Sequence, residues 1–579
     1  MSVRRLPQVR ERYFLSLLLG RLRSAVPGGE QRDVYLSIAL IAVNLLIFSL
    51  AKDVIRSKPY LPVLIGATAI SVGFLFLRHS EIGKGISLTV RALSLTCTLY
   101  VMFSQPFFME NSAAGEENHA TFVTLTDFYY AVIAFGAISV FRPSASFLPF
   151  VYLVVFKRAL AGTSGIGLSQ TDYAIIPETG IFVVISISTF GLLCRVPNAY
   201  HLLARSRTQA ISVLTQRLRW LGNVGFVKPS SATYFSSLLL AVIAIHFANY
   251  FYAGHAKLAL QGPLLAWLGN KTYNIFYSSL LYEANPLMAT GWPLRLLEFF
   301  LVNANLLANA LVLIFQLFCI VALFRRRLIV LSIAFFDLMH VMIFLASGIF
   351  FWKWIIFNSI LIFAIGSMKW TAPPRQLVAA GILLCLLAPT IFYIPRLGWF
   401  DSREVNMTYF QAVLDDGRRV RLPSNFFRNY SITFAQHRVA RAAADRAPTG
   451  AFGVAYSYDV YSKSFDCANE LVPGDEGARS QRELDNFIRL VRGYHAFALE
   501  LADENGSLNY DLFPHHIWTN PWMFEEAATL DLRRVAAYEL VIEAVCVREP
   551  LSAGLPSRDT RARTVFPISL LQEVAGAPS

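Results

Sequence analysis

The stretch Tyr250–Leu258 reads YFYAGHAKL and closes an apolar run that starts near Ser231. It sets an amine, Lys257, at the end of that run, with His255 two residues earlier and His246 eleven earlier. Ionisable groups are costly at membrane depth, so such a lysine is a functional candidate by default. An amine withdrawn from water gives up its proton more easily and can serve as a base near neutral pH. The plainer alternative is a helix-end lysine that snorkels to lipid headgroups. Tyr250 and Tyr252 flank the same helix end and would line any pocket there.

Three further groups could do chemistry. Asn118 and His119 precede the aromatic run FVTLTDFYYAVIAF. The segment FFDLMHVMIFLASGIFFWKW carries Asp337 and His340, which share a helix face at i, i+3. It also carries Lys353, which needs a polar cavity or a partner such as Asp337 or Glu298. A buried ion pair that only fixes helix packing is the competing account. Glu298, Asn303, Asn305 and Asn309 form a polar face that interhelical hydrogen bonding explains without catalysis. His515 and His516 are adjacent, and neighbours on a strand point to opposite faces, so no metal site is expected there. No P-loop, GxSxG, HExxH or dinucleotide fingerprint occurs.

The elements that must position these groups are apolar helices. Hydrophobic residues make up 55% of the chain and charged ones 15%, with mean hydropathy +0.48. Soluble domains average about 25% charged residues. The composition therefore predicts a mainly α, multi-pass integral membrane protein with a soluble portion attached. The net charge of +13 comes from short clusters between apolar runs, which argues for the positive-inside rule and against nucleic acid. The first 32 residues are polar and Arg-rich, with no cleavable signal peptide evident.

Candidate spans are 34–51, 60–77, 85–104, 121–141, 145–161, 174–194, 231–252, 296–324, 328–347, 350–367 and 376–396. Residues 1–33 form a basic N-terminal segment and 34–110 a set of N-terminal transmembrane helices. A core over 111–396 and a tail domain over 397–579 follow. The Arg clusters place the N-terminus in the cytoplasm and the tail outside it, with a bacterial inner membrane as the expected location. Lys52, Arg56, Lys58, Lys157 and Arg158 fall on the wrong side of that scheme. By the same scheme Lys257, His119, His340 and Lys353 all lie at the outer side, beneath the tail. In the tail, YFQAVLDDGRRVRLP is a hairpin signal around Asp416 and Gly417, GVAYSYDVYSKSF reads as a strand, and ELDNFIRLVRGYHAF reads as an amphipathic helix. The tail is thus an α+β domain. Its cysteines, Cys467 and Cys546, could pair only in an oxidising compartment.

YFYAGHAKL resembles the YF-x-AG-x-x-KL signature of the vitamin K-dependent γ-carboxylase and the wider HTTM family of membrane proteins. The resemblance implies that Lys257 is the base that deprotonates a reduced, vitamin K-like quinone. It also implies that His119 and His340 assist in the quinone chemistry. In this sequence Asp337 stands where the family places the latter histidine, and His340 follows one turn later. The implied activity is quinol-dependent oxidation or epoxidation, with or without carboxylation, and the implied partners are membrane lipid and quinone. A non-enzymatic alternative is a membrane partner or scaffold for maturation of a secreted peptide or for assembly of a membrane complex. A transporter fits the span count, but no inverted repeat is present.

Overall fold

A backbone in hydrocarbon has to satisfy its own N–H and C=O groups, and a helix does so within one segment. The computed structural model describes residues 29–57, 59–76, 82–104, 116–162, 175–204, 228–423, 426–427, 453–463, 481–508, 524–547 and 558–570. Before residue 397 they are almost wholly helical. The helices are α1 (Glu30–Arg56), α2 (Tyr60–Leu75), α3 (Lys84–Ser104), α4 (Glu116–Ser139), α5 (Phe147–Gly162), α6 (Ile175–Ala204) and α7 (Ser231–Leu258). The next are α8 (Tyr273–Leu281), α9 (Trp292–Asn303), α10 (Asn305–Ala322), α11 (Arg326–Ser347), α12 (Trp352–Ile365) and α13 (Arg375–Ile391). Among the described residues, six helices are long and apolar enough to cross a membrane: α1, α3, α6, α7, α10 and α11. Four shorter apolar helices accompany them.

The pillar of the bundle is α7. Of its apolar window 78% is buried, against 28% for α1, α10 and α11, so it stands inside while those three face outward. Ser230 caps its N-terminus by accepting from the Thr233 N–H, as N-cap serines do. The N-terminal helices belong to the same core: Asn44 of α1 donates to the Tyr234 hydroxyl of α7 at 3.0 Å. Phe48 of α1 stacks on Phe392 at 4.8 Å.

The expected span 296–324 is instead two helices, α9 and α10, parted at Ala304. The break has a polar cause. The Asn305 side-chain oxygen accepts from both the N–H and the hydroxyl of Thr272, at 3.0 and 2.9 Å, which holds the first residue of α10 against the loop that caps the bundle. Helix α11 ends at Gly348, whose φ of 72° is a left-handed cap that a residue without Cβ takes up freely. Three of the five charges that broke the pattern are held within the bundle, whereas Arg158 is exposed and Lys58 lies outside the described residues. Arg56 pairs with Glu178 and Lys52 donates to the Ile391 carbonyl. Lys157 is buried with its ammonium over the Tyr100 ring.

In the tail, β1 (Phe400–Asp401), β2 (Glu404–Leu414), β3 (Arg419–Arg421) and β4 (Val454–Ala455) come first. They are followed by α14 (Tyr458–Lys463), α15 (Gln481–Leu501), α16 (Glu525–Ala528), β5 (Val535–Val547) and β6 (Arg558–Ser569). One antiparallel sheet has the order β3-β2-β5-β6, and β1 pairs with β4 in a short separate ribbon. The expected hairpin is β2–β3, turned at Gly417 with φ 81°. The expected amphipathic helix is α15, whose Phe487, Leu490, Val491, Tyr494 and Ala498 are buried. Tyr494 meets Phe426 and Phe427 at 5.4 and 5.1 Å. The segment read as a strand over GVAYSYDVYSKSF is mostly not one: two residues pair as β4, and Tyr458–Lys463 form α14. Tertiary contacts override the β-prone tyrosines. The Tyr458 N–H donates to the Gln261 carbonyl at 2.9 Å, and Tyr461 stacks on Phe400 at 4.8 Å.

Candidate functional site

Seven residues separate Tyr250 from Lys257 on α7, a rise of about 10 Å. These two residues mark two levels of one polar column.

At the upper level Lys257 is half-buried and turns its amine back onto the protein. Its amine donates to the Leu397 carbonyl at 2.9 Å and to the Ala253 carbonyl, one turn back, at 3.3 Å. It lies 5.1 Å from the centre of the Trp267 ring, a cation–π distance. The strap 397–401, which links the last helix to the tail, crosses over this amine. It can do so because residue 398 is glycine: a Cβ there would stand 2.7 Å from the Ala256 carbonyl carbon. The Trp267 indole N–H donates to the Trp399 carbonyl at 2.9 Å, and the Trp399 indole N–H donates to the Asp401 carboxylate at 3.1 Å.

Asp401 is the hinge pin of the strap. It is 2% exposed. The Asn270 amide donates to its carboxylate at 2.7 Å, and the Asp401 N–H donates back to the Asn270 side-chain oxygen at 2.7 Å. Asn274 donates to the Asp401 carbonyl at 2.7 Å. The Asn270 carbonyl in turn accepts from Asn305 and Asn309 of α10 at 2.8 and 2.7 Å. Interhelical hydrogen bonding is thus what Asn305 and Asn309 do. Burial pushes the Asp401 carboxyl up to about 7, against the opposing pull of the Asn270 and Trp399 hydrogen bonds and the Lys257 charge.

At the lower level, α7, α11 and α12 bring together Tyr250, His246, His340, Asp337 and Asn358. The Asn358 side-chain oxygen is hydrogen-bonded to His246 Nε2, and its amide donates to the Tyr250 hydroxyl at 3.1 Å. Tyr250 stacks on Phe336 at 3.6 Å and lies 5.8 Å from the His340 ring. Trp354 borders His246 and His340 at 5.3 and 6.3 Å. Ser359 donates to Asp337 at 3.3 Å. Aromatic faces with a few convergent polar groups are the usual lining for a flat organic ring.

The other expected site residues stand elsewhere. Lys353 does not pair with Asp337 or Glu298: its ammonium lies 4.7 Å from the Tyr100 ring and 5.3 Å from the Trp352 ring, while Tyr277 donates to Glu298 at 3.0 Å. Tyr252 donates to the Leu386 carbonyl of α13 at 2.7 Å, and His255 is exposed at the helix end. His119 lies in the first turn of α4, with its side chain outside the described residues, as are His515, His516 and Cys467. Asp401, Asn270, Trp267 and Asn358 are the residues that sequence reasoning missed. Asp401 had one faint signal, a carboxylate directly after the aromatic GWF that follows the last span. Among the described residues no group of three or more His, Cys, Asp or Glu side chains could hold a metal ion.

Fold and site together define a helical bundle with six described helices long and apolar enough to cross a membrane, a polar column along α7, and a sheet-bearing tail strapped over the column's upper end. No protein-family model, curated protein or solved structure matches this chain.

Proposed function

We propose that this chain is a multi-pass membrane enzyme that uses Lys257 to take a proton from the acidic hydroxyl of a reduced, quinone-type lipid, with the tail domain on the extracytoplasmic side. In that step the O–H bond breaks, the N–H bond forms, and the electron pair stays on the substrate oxygen. The ammonium so formed has acceptors waiting: the Leu397 and Ala253 carbonyls and the Trp267 face, with Asp401 close by. Tyr250 and Phe336 already stack on one another at the lower level, so the ring would lie between the two levels, with His340 hydrogen-bonding its far oxygen. Reaction of the resulting carbanion-like ring with O2 is what the sequence resemblance implies.

The observation that carries this reading is that the Lys257 amine turns to the Leu397 and Ala253 carbonyls beneath the strap rather than outward. A positioned general base contributes roughly 10²–10⁴ in rate. Lys257→Ala should therefore cut quinol oxidation, followed by O2 uptake and mass spectrometry of the product, by about 100-fold or more. Its melting temperature in detergent should stay close to that of the parent. Normal turnover by the alanine protein rules the base out.

A second reading, a membrane scaffold without catalysis, draws on the same contacts, because an ammonium clamped by two carbonyls also staples the strap to α7. Lys257→Arg separates the two. A guanidinium can donate to carbonyls and stack on an indole, but it does not give up its proton in proteins. The enzyme reading expects an intact fold and no turnover, whereas the scaffold reading expects full function.

A further inference from the structure

We infer that α9 is not part of a membrane span but an interfacial helix whose outer face is seated in the lipid leaflet that borders the strapped, Lys257 end of the bundle. The inference rests on the membrane reading of the bundle and not on the quinol chemistry.

Chain direction comes first. Helix α7 ends at Leu258 and α10 starts at Asn305, and both termini lie at the same level: Trp267 covers Lys257, while Asn270 and Thr272 bond to Asn305 and Asn309. Residues 259–304 therefore leave and return at one end of the bundle. The loop after α8 stays there too, because Asn285 donates to the Leu345 carbonyl, in the last turn of α11, at 3.1 Å. An α9 of 12 residues is about 18 Å long, short of the roughly 30 Å hydrocarbon core, whereas the 18 residues of α10 reach about 27 Å alone. No crossing is left for α9 to make.

The helix is nevertheless apolar on both sides. Leu297 is buried, and Leu294 and Leu301 pack beside it against the core. On the opposite side Trp292, Leu296, Phe299 and Phe300 recur at i, i+4, i+7 and i+8 and are 73%, 45%, 59% and 53% exposed. Water would meet an aromatic stripe that soluble surfaces seldom leave bare. The stripe runs on into the outward face of α10, where Leu306, Leu307 and Ile314 are more than half exposed. Arg295 is exposed beside it, placed to extend its charge to headgroups. Indole, phenyl and guanidinium groups on one short helix are the chemistry of the headgroup–acyl boundary. Loop residues Leu264 and Leu265, 87% and 47% exposed, add apolar contacts at the same end.

The test uses the full chain in its native membrane. A photoreactive p-benzoylphenylalanine is placed at 296, 300 or, as a reference on α10, at 314. Adducts are identified by mass spectrometry. Lipid adducts at 296 and 300 are expected. Protein adducts, a second copy of this chain included, overturn the inference, and so does the absence of any adduct. Depth is read separately from lysine tolerance. A lysine at mid-membrane is expelled far more strongly than one at the interface, so Ile314→Lys should lower membrane-inserted yield by about tenfold or more while Leu296→Lys leaves it within about twofold. Equal losses in the two variants would mean that α9 crosses the core. Lack of lipid adducts at 314 would instead sink the membrane reading on which the inference stands.

Discussion

Asp401 and Asn270 hold one another in a closed pair of hydrogen bonds, and the carboxyl between them is nine-tenths neutral or nine-tenths charged within about a unit either side of pH 7. The sign of its effect on stability follows from linkage. Its folded value, about 7, lies above the ordinary 3.8 of an unfolded aspartate. Between those values the folded chain holds a proton that the unfolded chain has released, so stability falls as pH rises through the window. The contribution is complete below the unfolded value and is lost as pH approaches the folded one. Asp401→Asn removes the titration but also replaces one acceptor by a donor. The melting-temperature gap between parent and variant, measured by scanning fluorimetry from pH 5 to 8, should favour the parent at pH 5 and shrink or invert by pH 8. A gap that does not change with pH would show that Asp401 does not titrate there.

At the scale of elements, the strap and the helix caps carry the argument. Removing the Asn270 side chain breaks the hydrogen bonds to the Asp401 carboxylate and N–H and leaves a buried carboxylate short of a donor, a loss of about 2–4 kcal/mol. Asn270→Ala should free the strap 397–401 from the bundle. Limited proteolysis should then release the tail at least several-fold faster, while the bundle fragment stays intact; equal cleavage rates would mean the clamp does not hold the tail. None of this clamp was legible in sequence, because Asn270 and Asp401 are 131 positions apart and neither belongs to a motif. What was legible was local. The central helix and its terminal lysine followed from one apolar run, and the β2–β3 hairpin followed from Asp-Asp-Gly between alternating segments. The break at Ala304 was hidden because Asn303 and Asn305 sit inside a longer apolar run and read as an interhelical polar face, whereas the Asn305 side chain is held by Thr272 at the interruption. Strands β5 and β6 went unread for a different reason. VAAYELVIEAVCV has no strict alternation, since nearly all of it is buried, and β6 carries Pro567, which a sheet accepts only because β6 is its edge.

Across the whole molecule, charge is sorted by end. Arg325, Arg326 and Arg327 stand where α10 gives way to α11, and Lys369 and Arg375 where α12 gives way to α13. The two turns meet where the Arg326 N–H donates to the Thr371 carbonyl at 3.2 Å and its guanidinium to the Met368 carbonyl at 3.2 Å. The strap, Lys257 and the tail sheet are at the opposite end, where Arg421 of β3 pairs with Glu283 at 3.2 Å. Lys52, Arg56 and Lys157 also lie towards that end, each tied to a carbonyl, a carboxylate or an aromatic ring, and Arg158 is exposed beside Lys157, so fewer free charges stand there than in the basic turns. Under the proposed membrane reading, the positive-inside rule predicts the basic turns in the cytoplasm and the tail outside. Cysteine state agrees: Cys97, Cys194, Cys319 and Cys385 are free thiols in the bundle, whereas Cys546 of β5 is disulfide-bonded, as persists in oxidising compartments. The orientation therefore predicts different access for two positions in intact cells. In the tail, an introduced Glu504→Cys, exposed in the loop after α15, should react with an impermeant maleimide without permeabilisation. An introduced Lys369→Cys, exposed in the opposite turn, should react only once the membrane is opened. Site-resolved mass spectrometry of the labelled peptides reads both at once, and the reverse pattern would place the strapped end of the column, with Lys257, on the cytoplasmic side.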